Sequence, residues 1–475
     1  MVGVVGDESN ARVAPRERKL SRDWSLVVFV ISLGVLAFLY GAVSSELRLP
    51  PSQQVRQAIY AAKAIKLYLT EGDLPSGAIR LDESADPDRS VRQLDAAAGK
   101  ELLLVTGGPN RDGRRCPEFG CLASVIDRSG RVLHAWPLPL DALFKDVRGF
   151  RGDVKLTNFY PIGLGLLRDG SLIATFHARN TYPYVVGIAR ISWTGQVMWK
   201  HIDGAHHWIR IGPDDHIYAP SQVRRKLTHV AGNVVELQCP DVVYDEGVRI
   251  YRPDGTVERT VSMLELLARN GYAGLLYSVR SNCDPIHLNS VDLATPEIAA
   301  RIPGVEAGDV LVSLREPSAI VLFNPISGKV KRVTVGRTAA QHSARFLPDG
   351  SVIAFDNQGG TQALGGSRIM RLNLIDGSAQ VLFPTAASKS MLPFFSEDGG
   401  TVIPSPDGKR AMISSKDQSR DIEFDLATGR PLWEMTQVFD VAPFIKKDGK
   451  KVAGYFTAYG TYYLTDEEVR SLPLH

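Results

Sequence analysis

The stretch QHSARFLPDGSVIAFDN, residues 341–357, carries the pattern on which the fold turns. A β-run enters a Pro-Asp-Gly turn, and a second, mostly apolar β-run leaves it. Such a turn needs one position with positive φ, which glycine supplies without steric cost. The same pattern recurs as LLRDGSLIATFH (166–177), IGPDDHIYAPSQ (211–222, with Asp215 at the glycine position), AGDVLVSLR (307–315) and PSPDGKRAMISS (404–415).

A second hairpin alternates with the first. Its copies are SVIDRSGRVLHAW (124–136), ARISWTGQVMWK (189–200), RIYRPDGTVERT (249–260), VLFNPISGKVKRV (321–333), LNLIDGSAQVLF (372–383) and EFDLATGRPLWEM (423–435). Two alternating hairpins per period make a four-stranded blade. Six periods predict an all-β fold, a six-bladed β-propeller over residues 100–475. The sixth inner pair is expected from the C-terminal run FIKKDGKKVAGYFTAYGTYYL (444–464), closing the ring on the blade that carries Gly130. SMLELLARNGY (262–272) reads as a short inserted helix.

Upstream of the repeats the chain changes character. From Trp24 to Ser45 there are 22 residues without a charge, bounded by Asp23 and Glu46. A helix of that length spans the hydrocarbon core of a bilayer and exceeds the apolar stretch of a usual signal peptide. The reading is a single transmembrane helix, 24–45, although Ala42-Val43-Ser44 resembles a cleavage site. Arg12, Arg16, Arg18, Lys19 and Arg22 precede it. The positive-inside bias then makes 1–23 a cytoplasmic tail and leaves the rest of the chain outside the inner membrane, in the periplasm or an equivalent space. Residues 46–99 are expected to form a stalk, helical from about Pro50 to Gly72 and irregular to about 98.

The net charge is +3, with Lys and Arg spread along the chain. A nucleic-acid binder needs a basic stripe, and none is present in the sequence. The four cysteines suit an oxidising compartment. Cys116 and Cys121 flank a loop short enough to close a disulfide, whereas a Cys239–Cys283 pair is left open.

The repeat register also places side chains. Seven residues before the turn Asp, where the innermost strand starts, stand His207 and His342, and His287 opens the corresponding strand of a third blade. Seven residues after the turn stand His177, Gln222, Arg315, Asn357 and Ser415, all polar. Equivalent positions of different blades converge on the propeller axis. Three imidazoles and a guanidinium at one channel mouth would seek anions, since Arg offers a planar fork for oxyanions and His works as nucleophile, acid or base. His206 is expected on the other face of its strand, in a structural role, and His134 and His201 on exposed outer edges. Three histidines can also hold zinc or copper, a reading that a neighbouring Arg315 disfavours. A non-catalytic propeller that binds an anionic ligand or a protein partner is a further alternative.

The segments HHWIRIGPDDHIY (206–218), DPIHLNSV (284–291), GDVLVSLREPSAIVLFNP (308–325) and QHSARFLPDGSVIAFDN (341–357) resemble the bacterial arylsulfate sulfotransferases. The resemblance covers roughly 120–440. It implies a periplasmic six-bladed propeller that moves a sulfuryl group from an aryl sulfate to a phenol without the nucleotide donor PAPS, and without metal or other cofactor. It implies a sulfurylated nucleophile at His342, with His287, His207 and Arg315 holding the sulfuryl oxygens. Asn357 and His177 are expected as rim or supporting contacts to the substrate. A homodimer is compatible with the family, but residues 46–100 show no counterpart of its N-terminal β-sandwich, and an anchor stands where a cleaved signal is usual.

Overall fold

The computed structural model describes residues 24–46, 79–81, 90–440, 453–456 and 459–474, with gaps at 108–115, 117–119, 151–155, 180, 182–183, 233, 240–241, 359–365 and 389–393 and a few single positions between 50 and 62. The cytoplasmic tail expected for 1–23 and most of the helix expected between 50 and 72 lie outside these residues. The chain divides into two units, Met1–Asp73 and Leu74–His475.

In the first unit, Trp24–Glu46 is one helix, apolar on all sides, and its stretch Trp24–Ser44 has a mean hydropathy of 2.6. It is long and apolar enough to cross a membrane.

The second unit is the six-bladed propeller. Blade 2 runs, from axis to rim, Phe159–Leu166, Leu172–Ala178, Val185–Ile191 and Val197–His201. Blade 3 (Arg210–Ile211 to Val257–Ser262), blade 4 (Leu288–Leu293 to Val330–Val335) and blade 5 (His342–Phe346 to Ala379–Phe383) follow the same antiparallel order. Blade 6 begins at Thr401–Pro404 and ends at Pro431–Thr436. The turn reading holds: the six outer-hairpin glycines take φ between +68° and +89°, and Asp215 adopts +61°.

Ring closure differs from the expectation in one respect. The C-terminal run gives blade 1 only its innermost strand, Thr461–Tyr463, and not a pair. This strand pairs with Leu103–Thr106, so the second strand comes from the start of the repeat region, followed by Cys121–Ile126 and Val132–Pro137. The other part of the run, Ala453–Phe456, joins Val438–Asp440 and Ile79–Leu81 in a separate small sheet. Likewise Val91–Gln93, within a stretch that reads as irregular, pairs with the outermost strand of blade 6. Three residues, two of them Arg92 and Gln93 on an exposed edge, carry too little alternation to read as a strand.

Apolar clusters between neighbouring blades hold the ring, for example Leu311, Ile320, Ala344, Val352 and Met370 between blades 4 and 5. Polar side chains lock the innermost strands: Ser290 Oγ accepts from the Ala344 amide (2.9 Å) and Asp292 Oδ2 from that of Phe346 (2.8 Å). The inserted helix is Met263–Arg269, capped by Ser262, and a second helix that the sequence did not suggest, Ala273–Val279, follows it. Both cysteine pairs are disulfides, Cys116–Cys121 and Cys239–Cys283.

Candidate active site

All six blades reach a cavity of about 260 Å³ at the axis. Of the residues chosen by register, His177, His207, His287, Arg315 and His342 line it. Asn357 stands directly behind His342, while Gln222 bonds to Glu246 and Ser415 to the Phe395 carbonyl. The rings of His207, His287 and His342 are 5.6 to 6.4 Å apart, and His177 is 4.6 Å from His207.

The innermost strands are deformed where these residues sit. Register shifts interrupt pairing at Leu288/Ser290 and His342/Arg345, and bulges of this kind re-aim side chains. His207 and His287 adopt φ of +50° and +48°, unusual for a residue with a β-carbon. For His207 the cause is visible: Thr175 Oγ1 donates to its carbonyl at 2.7 Å. That carbonyl passes so close to Gly163 that a Cβ there would meet it at 2.1 Å. Glycine is required at this contact.

His342 is 2% exposed, and its Nδ1 lies 2.7 Å from Asn357 Oδ1. The Asn357 amide cannot be reversed, because its Nδ2 donates to the carbonyls of Ser396 (3.0 Å) and Gly399 (2.8 Å). Oδ1 is therefore the acceptor, Nδ1 carries the proton, and Nε2 is the bare nitrogen of the ring. Burial, then the charges of His287 and Arg315, push His342 down to about 3 against the hydrogen bond it donates to Asn357, so the imidazole is neutral at physiological pH. Burial likewise lowers His177 to about 3 and holds His207 well below the usual range, with the surrounding histidines adding to the effect.

His287 is held at Nδ1 by Asp284, whose Oδ2 is 2.8 Å away, and the Tyr184 hydroxyl lies beside the ring, 3.1 Å from Nε2 and 3.2 Å from Nδ1. Asp284 was missed from the sequence although the DPIH motif puts it three residues ahead of His287; that spacing was the available signal.

Asp398 and Lys416 of blade 6, an ion pair on the cavity wall, were also missed. Lys416 follows the register position Ser415 by one residue, but Asp398 lies in a loop that no repeat predicts. Burial would raise the Asp398 carboxyl, but Lys416, then His342 and Arg315, keep it below its usual range. Tyr160 and Tyr459 stack at 5.2 Å, and Trp208 meets His342 edge-on at 5.9 Å, giving the cavity an aromatic side. Burial raises the Tyr160 hydroxyl to about 12.

Three histidines outside the cavity lining sit otherwise than the strand pattern implies. His134 stacks on Trp193 at 3.5 Å, and His201 Nε2 lies 2.8 Å from the Gly255 carbonyl of the next blade. Both fill gaps between blades and are not exposed edges. His206 is fully buried, and its Nδ1 lies 2.6 Å from His207 Nδ1. The irregular backbone at 205–209 replaces the strand alternation that would have turned it away.

The nitrogens of His207, His287 and His342 lie within 4.8 Å of one another, as do those of His177, His206 and His207. Such spacing can suit a divalent cation, but the guanidinium of Arg315 on the same wall opposes one. Neutral imidazoles beside a guanidinium and a lysine favour an anion with a nucleophile at hand.

Among solved structures, a protein of unknown function from Bacteroides caccae is 12% identical with a TM-score of 0.42, over 71% of this chain and 94% of that one. Virginiamycin B lyase from Staphylococcus aureus is 12% identical with a TM-score of 0.37, over 77% and 98%. No curated protein matches the sequence. Residues 164–437, more than half of the chain and including every residue of the histidine and arginine wall, match the profile of the arylsulfotransferase (ASST) family, and the chain belongs to that family.

Proposed function

We propose that this chain transfers a sulfuryl group from an aryl sulfate to a phenol in two steps, through a sulfohistidine at His342 and without a nucleotide sulfate donor. The observation that carries the reading is the bare Nε2 of His342, fixed by Asn357, on the wall of a cavity that also holds Arg315. A neutral imidazole with one nitrogen tied to an acceptor is a competent nucleophile in a dry site.

In the first step the sulfuryl oxygens lie against Arg315, His207 and His287. His342 Nε2 forms the N–S bond as the bond from sulfur to the aryl oxygen breaks. The leaving phenolate takes its proton from the His287 ring, which Asp284 orients. In the second step the acceptor phenol returns a proton to that ring while its oxygen forms the new S–O bond and the N–S bond breaks. Charge builds on the sulfuryl oxygens in both transition states, and Arg315 meets it there. The aromatic side of the cavity, Trp208, Tyr160 and Tyr459, suits a ring in donor and acceptor alike. Asn357 acts through His342, and His177 borders the sulfuryl pocket.

The apolar helix anchors the chain in the inner membrane with the propeller in the periplasm, as the basic residues before Trp24 favour. The helix and both disulfides support that compartment.

The test uses the full chain in detergent, stripped by chelator, with 4-nitrophenyl sulfate and a phenol acceptor. Nitrophenol release that survives chelation, depends on His342, and leaves one added sulfuryl group on the peptide containing it is the expected result. No turnover across a panel of aryl sulfates and phenols would sink the reading.

A further inference from the structure

Behind the cavity wall a line of buried polar groups joins His207 to His287. His206 Nδ1 meets His207 Nδ1, so one of these two rings donates to the other. The far nitrogen of His206, Nε2, has no hydrogen-bond partner among the described residues and lies 3.6 Å from Glu246 Oε1. Glu246 is fully buried and accepts from the Leu288 amide and from Gln222 Nε2 (3.0 Å). Its carboxyl group also meets that of Asp284. Asp284 in turn holds His287 Nδ1 through Oδ2, while its Oδ1 is buried without any other partner.

A fully buried carboxylate beside a second, partly buried one strongly resists ionisation, and one shared proton turns their repulsion into a hydrogen bond. It also supplies the donor that Asp284 Oδ1 otherwise lacks. The proton belongs on Glu246. Glu246 is cut off from solvent, whereas Asp284 has an imidazole N–H against its other oxygen. Burial first, and then the charge of Asp284, push Glu246 well above the carboxylate range.

We propose that Glu246 is a positioning residue for the sulfuryl-transfer site: its carboxyl hydrogen fixes Asp284 behind His287, and its other oxygen backs His206 behind His207. The proposal rests on the sulfuryl-transfer reading above. One neutral acid thereby sets the orientation of His287 and lies against the His206 ring that meets His207. Asp284, held on one oxygen by Glu246, presents the other to His287 Nδ1, so the fixed proton sits on Nδ1 and Nε2 faces the cavity as the site that takes up and gives back the proton exchanged with the phenol. Without the Glu246 donor, Asp284 is free to turn and the His287 tautomer is no longer fixed.

Glu246→Gln keeps a donor toward Asp284 in the same shape, whereas Glu246→Leu removes it. Phenyl sulfate needs proton transfer to its leaving oxygen far more than 4-nitrophenyl sulfate does. In Glu246→Leu we expect kcat with phenyl sulfate to fall at least about tenfold further than kcat with 4-nitrophenyl sulfate, with Glu246→Gln within about threefold of wild type on both. A merely structural role would lower both substrates together. Equal losses in Glu246→Leu, or a Glu246→Gln variant as damaged as Glu246→Leu, overturns the proposal. Should Glu246→Leu not fold, Glu246→Met, of the same reach, carries the same comparison. The tautomer of His287, read by NMR on full chain labelled with 15N-histidine, separates this proposal from the sulfuryl-transfer reading. An Nδ1–H form in wild type that is lost in the apolar variant supports the positioning role even if wild type releases no phenol; an unchanged tautomer refutes it.

Discussion

The seam between blades 6 and 1 and the histidine wall that blades 2 to 5 give the cavity are both polar and both buried, yet they follow contrary rules. At the seam, opposite charges meet. Glu423 receives Arg128, Arg410 and the Tyr463 hydroxyl, and Arg410 reaches on to Glu101 at 2.5 Å. Arg128 also lies over the Trp433 ring at 4.7 Å, so strands from both chain ends are tied by matched groups. On the cavity wall like meets like. Four imidazoles crowd a guanidinium, His177 Nε2 has no hydrogen-bond partner, and His207 and His287 hold positive φ. Paired opposite charges fix the ring; crowded, strained burial of like groups, kept in place by that ring, is where chemistry is expected.

Two substitutions should separate the regions cleanly. His342→Gln removes the nucleophile and should lower kcat by on the order of 10³-fold or more while leaving the unfolding midpoint unchanged. Steady-state rates beside a thermal scan check both halves. Glu423→Ala strands Arg128 at the seam, while Arg410 keeps Glu101, and should cost about 3–5 kcal/mol of stability. Its kcat per folded molecule should stay at the wild-type value. If His342→Gln proved strongly destabilising, or Glu423→Ala inactive while folded, the division between the two clusters would fail.

The same contrast explains what the sequence makes legible. His207, His287, His342 and Arg315 are visible because propeller symmetry brings equivalent repeat positions to one axis, so spacing in the chain becomes proximity in space. The partners that set their protonation are less visible. Glu246 looks like an ordinary polar residue inside the strand Val243–Tyr251, and only the contact of blade 3 with the start of blade 4 turns it toward Asp284. Asp398 and Tyr459 come from loops without repeat counterparts. His206 escapes because strand alternation does not apply to a bulged approach. Ring closure is misread by one strand because Leu103–Thr106 precedes the first full repeat and has no turn signature of its own.

A milder perturbation bears on the wall alone. His177, His206, His207 and His342 are all depressed below the ordinary 6.5 by burial. The unfolded chain therefore binds more protons than the folded one as pH falls below about 6.5, and stability should decline continuously toward the folded values. The decline should be shallower in His177→Phe, which keeps a buried ring without the titration. Unfolding midpoints from pH 8 to 4 give the comparison, and parallel curves for the two proteins would remove His177 from the account.

The finest test acts on one hydrogen bond. Asn357 fixes the bare nitrogen of His342 because it accepts through Oδ1 and donates twice through Nδ2, while burial and the neighbouring charges keep the ring neutral against that hydrogen bond. Asn357→Leu should cost about 1–3 kcal/mol in kcat/KM at neutral pH by freeing the ring. Asn357→Asp should act differently. A carboxylate still accepts from Nδ1, but it favours the protonated imidazole and leaves the Ser396 and Gly399 carbonyls without their donor. Since only the unprotonated ring attacks, activity should survive at high pH and disappear at a higher pH than in wild type as the solution is acidified. The ascending limb of the kcat/KM profile moves up in Asn357→Asp and shifts down in Asn357→Leu, which loses the hydrogen bond that favours the protonated ring and keeps its loss of activity at neutral pH. A limb that does not move would mean that Asn357 orients His342 without governing its charge.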